Sequence, residues 1–211
     1  MRIVPAILLV TLITAAAATA QTVNCVVAVV NGEIITLLDV EVVAAFGLGA
    51  DPAAEPGPDP RLAALEALID RKIVLDTARE TRSLNADELQ AALAGLERTL
   101  GEDAFRAGLA RFGLAPRDLE PYLQDSLLYE RALALRFSSS IPVPVTEVER
   151  HYRDIYVPEQ ARSGAAAEPL DKVAPAIEAR IRDGRRAVQT AAWVRDLRKS
   201  ADIQVKKDCL K

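Results

Sequence analysis

"VNCVVAVVNGEIITLLDVE", residues 23–41, decides how the fold is read. Five of the eight residues from Val23 to Val30 are valine, and Asn31-Gly32 separates them from a shorter apolar run that ends at Thr36. β-Branched runs joined by Asn-Gly predict a two-residue hairpin. Both central positions of the turn that matches strand twist need positive φ, which Asn and Gly adopt at least cost. A lone hairpin is marginal in water. A first strand this continuously apolar is expected to be central in its sheet and covered on both faces.

The missing neighbour is expected near the other end of the chain. "ADIQVKKDC", residues 201–209, alternates Ile203 and Val205 with polar residues, as an edge strand does. Antiparallel pairing with Val29 opposite Val205 sets Cys25 opposite Cys209. Opposed antiparallel residues have Cα atoms roughly 4.5–5.5 Å apart, within disulfide range. These are the only 2 cysteines, and an oxidising compartment would let the bond persist. Two unpaired thiols, or a bond between chains, are the alternatives.

Between the strands the chain reads as helical. Thr36 to Asp39 has the form of a capping box opening a helix to about Phe46, and Gly47 stops it. Four prolines make residues 49–60 a solvated loop. Leu62, Leu65, Leu68, Ile69, Ile73 and Leu75 recur at helical spacing over residues 61–82. Asn85 with Glu88 opens a helix to Leu100. Another is expected from Glu102 to Phe112, closed by Gly113, and a long one from Pro116 to Phe137. Thr146 is expected to cap a helix to about Tyr156. Residues 157–169 read as a linker, and Leu170 to Ser200 as a closing helix. That helix is expected to bury Val173, Ile177, Ile181, Val188, Ala192 and Trp193 on residues 60–140. The fold class is mainly α with a small antiparallel sheet.

Arg2, the apolar stretch around Ile7 to Ile13, and Ala18-Thr19-Ala20 match a secretory signal cleaved after Ala20. The apolar run is short of the about 20 residues that a membrane span needs. The remainder suits one domain. Half the residues are hydrophobic but only 4% are aromatic, which favours helices closely packed over Ala and Leu. A net charge of −4 and the lack of a basic stripe with interleaved aromatics make nucleic acid an unsuitable partner.

Catalytic signatures are scarce. His151 is the single histidine, so a histidine metal site or hydrolytic triad has no second imidazole, and an exposed or capping role is expected. The cysteines lack redox-motif spacing, and no phosphate-binding glycine loop follows a strand. The carboxylates sit at helix starts and on polar faces, where the macrodipole and solubility explain them. No enzyme, cofactor or metal is expected. Phe105, Leu109 and Phe112 share a helix face, with Leu114 and Tyr122 close behind. They are either core or the lining of an apolar groove for extended segments.

The order of "VAVVNGEIITLLDVE", "LIDRKIVLDTA", "LNADELQAALAGL" and "IPVPVTEVERHYRD" resembles the N-terminal module of SurA-type periplasmic chaperones, relatives of the parvulin prolyl isomerases. The resemblance covers about Val26 to Arg153 and resumes, more weakly, from Val173 to Val205. In that family one or more parvulin domains usually stand between these two stretches, where here only residues 157–169 do. The resemblance therefore implies a chaperone domain in residues 21–156, completed by residues 170–211, without isomerase activity. It implies an ATP-independent periplasmic holdase for unfolded exported or outer-membrane clients. The peptide-binding candidates are Phe105, Leu109, Phe112, Leu114 and Tyr122. A dedicated envelope interaction protein with one partner is the alternative, and a prolyl isomerase the remote one. Swapping of the closing helix would give a homodimer.

Overall fold

The computed structural model describes residues 25–48, 59–78, 84–137 and 142–210. The expected signal segment, nearly all of the proline-rich loop and the last turn of the helix expected to reach Arg82 lie outside them. In chain order the elements are β1 (Val26–Val30), β2 (Glu33–Thr36), α1 (Leu37–Phe46), α2 (Pro60–Thr77), α3 (Ala86–Leu100), α4 (Glu102–Phe112), α5 (Glu120–Arg136), α6 (Val145–His151), α7 (Val157–Ser163), α8 (Leu170–Ser200) and β3 (Ile203–Val205). The molecule is mainly helical, with one small antiparallel sheet.

Asn31 and Gly32 form the hairpin turn with φ of 48° and 85°, the geometry their side chains make cheap. The sheet order is β2-β1-β3, so the N-terminal strand is central. Its register with β3 differs by one residue from the expectation: Ala28, not Val29, stands opposite Val205. Pairing with β2 is interrupted between Val26 and Ala28, where Val27 is the extra residue of a bulge. A bulge turns two successive residues toward one side, and both Val27 and Ala28 are fully buried. Among the described residues one face of the sheet is the more fully covered. Ala28, Val30 and Ile35 are buried, whereas Ile34 on the opposite face is 56% exposed. The even apolarity of β1 thus serves a bulged strand whose one face is packed and whose other, at Val29, is half-buried among the described residues.

The sheet rests on α1 and α2. Val27, Val30 and Ile35 cluster with Val40 and Val43 of α1 and Leu65, Leu68 and Ile69 of α2. Thr36 caps α1: the Asp39 N–H donates to its hydroxyl, and the Thr36 N–H donates to the Asp39 carboxylate at 2.8 Å. Asn85 and Glu88 form the second expected capping box. Gly113 ends α4 in the left-handed region at φ 65°, which a side chain would strain. Arg71 is the buried charge of α2. One guanidinium nitrogen donates to the Leu48 carbonyl, while Nε and Nη1 have no partner among the described residues. Burial, opposed by the charge of Asp125, lowers its pKa.

Two expectations for the C-terminal third are corrected. α6 begins at Val145 after Pro144, and Thr146 supplies no cap. Residues 157–163 are helix rather than linker: α6 runs through a π turn at Tyr152–Tyr156 into α7 and ends at Gly164. Pro158 looks like a breaker because it removes one N–H. The wider turn, in which the Val157 N–H reaches the Tyr152 carbonyl, carries the helix past it. Residues 165–169 alone remain irregular.

α8 matches its expected bounds, and of its expected face Val173, Ile181, Ala192 and Trp193 are half-buried. Near its start Ile177 is buried, and near its end Val194. Val188, between them, is 70% exposed. The half of the helix up to Arg185 rests on α6 and its C-terminal end on α2, and residues 186–189 between these supports are exposed. Regular apolar spacing cannot reveal such a gap. Arg198 fixes the C-terminal end, binding the Glu66 carboxylate at 2.6 Å and the Asp70 carboxylate on α2.

Candidate functional site

The five residues around Gly113 are brought together, mostly inward. Phe105 and Leu109 are 3% and 7% exposed, in a cluster with Val42, Phe46, Leu119 and Leu123. Phe112, Leu114 and Tyr122 pack against it half-buried. The Phe46 and Phe105 rings meet edge to face at 5.9 Å. Such contact is possible because Gly108 has no side chain: a Cβ there would lie 2.9 Å from the Phe46 ring. The Tyr122 hydroxyl donates to Asp39 at 2.8 Å. Burial, and then this bond, raise its pKa above the ordinary phenol value. Phe105 and Leu109 therefore offer no surface to a ligand in this state.

Open apolar surface occurs elsewhere. Ala78 after α2, Ala132 and Leu135 of α5, and Trp193 and Leu197 of α8 line a cleft of about 530 Å³. Val74, Ala132 and Val194 are buried together beneath it. Trp193 forms one wall, held edge-on by the Phe137 ring at 5.8 Å. The Arg136 guanidinium lies 5.5 Å from the indole centroid, where a cation is attracted by the ring face. Leu135 is 57% exposed at the rim. Further along α8, Ile181, Gly184, Val188 and Gln189 line a second open hollow with Arg185 and Glu147. Arg185 pairs with Glu147 and donates to the Pro142 carbonyl at 2.8 Å.

Of the cleft residues, sequence reasoning singled out Trp193, as core, and did not single out Leu135. The available signal was the Trp193 position near the end of a long helix, opposite the end of another. His151, at the end of α6, is half-buried with its Nδ1 unpartnered among the described residues.

Cys25 and Cys209 stand at disulfide distance with Cα atoms 6.1 Å apart. They are not directly opposed. β3 ends at Val205, and a 3-10 turn over Lys207–Leu210 brings Cys209 round to Cys25. Among the described residues, no helix is long and apolar enough to cross a membrane. Neither a scan against known protein-family models nor a search of curated proteins finds a match for this chain.

Proposed function

We propose that this protein is an ATP-independent holdase for unfolded exported polypeptides, acting in the periplasm without isomerase chemistry. The observation that carries the reading is the open apolar cleft walled by Trp193 and rimmed by the exposed Leu135. Exposed apolar surface backed by a packed helical body is what a binder of unfolded segments needs. The order of sequence motifs resembling the SurA-type module supports the same reading, as does a sheet that joins both ends of the chain to one body. The client contact is accordingly moved from the Phe105 face to the Trp193 cleft.

The test is suppression of aggregation of a denatured β-barrel protein by the full chain. Suppression that weakens in Leu135→Asp supports the proposal. No suppression at several-fold molar excess of chaperone defeats it. A second reading, a dedicated partner-binding protein, draws on the second hollow, where Val188 is strongly exposed. Affinity capture separates the two: many sub-stoichiometric polypeptides favour the holdase, and one stoichiometric partner favours the alternative.

A further inference from the structure

β3 is the least buried element of the sheet. It pairs with β1 over Ala28 to Val30 alone, and its three residues are half-buried or exposed. Its flanking bonds include the Asn31 N–H to the Asp202 carbonyl at 2.8 Å, the Asp202 N–H to the Asn31 side chain, and the Lys206 N–H to the Val27 carbonyl at 2.7 Å, and Ile203, Cys209 and Leu210 pack half-buried at the edge of the core. The rest of the body has its own support. β1 and β2 bury their side chains on α1 and α2, and α8 is clamped upstream of β3 by Arg198. No buried core residue among those described lies in residues 203–210, so the third strand can leave without dismantling the core. Among the described contacts that hold it, the cysteine pair is the covalent one, made and broken by chemistry. Both cysteines are half-buried rather than sealed, so a thiol reagent can reach them.

We propose that Cys25 and Cys209 form a redox latch on the C-terminal strand. Oxidised, the pair holds β3 on β1. Reduced, it releases residues 203–210 and leaves β1 as an edge strand. The reductant is an external dithiol. One of its thiolates attacks a sulfur of the pair, giving a mixed disulfide and expelling the other cysteine as a thiolate. The second thiol of the reductant then displaces the remaining cysteine and closes its own disulfide. Two electrons pass to the pair, and the two protons lost by the dithiol end on Cys25 and Cys209. This inference does not depend on the client-binding reading.

Amide hydrogen exchange of the folded, oxidised full chain, with and without excess dithiothreitol, tests it. Reduction is expected to speed exchange at Asn31 and Lys206 by roughly tenfold or more while the Ile69 amide in α2 is unchanged, the pattern of a local opening. A Cys25→Ser/Cys209→Ser double variant should match the reduced protein. Equal exchange in both states would overturn the latch. So would parallel acceleration at Ile69, which would make the bond a support of the whole fold, and so would two free thiols in protein prepared under oxidising conditions.

Discussion

Asn31 and Asp202, 171 residues apart, bind each other twice through N–H and oxygen groups, at 2.8 and 2.9 Å. The same Asn31 side chain donates to Asp76 on α2 at 3.0 Å. One turn residue thereby joins the hairpin, the end of a core helix and the return of the chain. Asn31→Ala removes these side-chain bonds and places Ala at φ 48°, which should cost on the order of 1–2 kcal/mol. Asn31→Gly keeps the backbone geometry and loses only the side chain. Urea midpoints of the two variants separate the parts, and a wild-type midpoint for Asn31→Ala would show that the three-way junction contributes nothing.

Gly108→Ala reverses a common rule. In most helix interiors the change adds up to about 1 kcal/mol of stability. Here the new methyl meets the buried Phe46 ring at 2.9 Å, and overpacking of this kind costs roughly 1–3 kcal/mol. Thermal denaturation should show a lower midpoint. A higher one would mean that α4 stands further from α1 than described.

Arg198→Ala should destabilise in a pH-dependent way. Burial raises the Asp70 pKa, and Arg198 opposes that rise. A carboxyl with a raised folded pKa binds more protons folded than unfolded, so its contribution to stability falls as pH rises from the unfolded value toward the folded one. Removing Arg198 lifts the folded pKa of Asp70 further and widens that window. The loss, about 1–3 kcal/mol near neutral pH, should shrink as pH drops through the carboxylate range. Denaturation at several pH values checks this, and a constant loss would assign the effect to packing of the arginine stem.

Glu88 has the opposite sign. Its bond from the Asn85 backbone N–H, aided by Arg131, holds its carboxyl below the usual range. The stabilisation is present above the unfolded carboxyl pKa and is lost as pH falls through the lower folded value. Amides in the first turn of α3 should therefore lose exchange protection on acidification later than an ordinary glutamate would dictate, and Glu88→Gln should flatten the dependence.

Much of this architecture was readable from local signals. The Asn-Gly turn, both capping boxes, the stop at Gly113 and the bounds of α8 each depend on a few adjacent residues, and all are observed. Features set by distant partners were not readable. The approach of Cys209 to Cys25 depends on a 3-10 turn after Val205, the helix past Pro158 on a π turn, and the exposed stretch of α8 on the space between two supports. The Phe105 face illustrates the same limit: an apolar stripe says that something covers it, and α1 turns out to be the cover. Trp193 lies half-buried, so Trp193→Ala should cost less than the roughly 3–5 kcal/mol of a fully buried aromatic. It should also weaken client retention. Full loss of folding would place the indole in the core.

The cysteine pair also makes the chain between residues 25 and 209 a closed circuit. Residues 165–169 are mostly exposed and outside any helix, which makes them a natural point of protease attack. A cut there separates α8 and β3 from the rest in sequence but not in covalent structure. The nicked protein should run as one band on a non-reducing gel and as two after reduction. Such a ring survives a single break and comes apart only at the second.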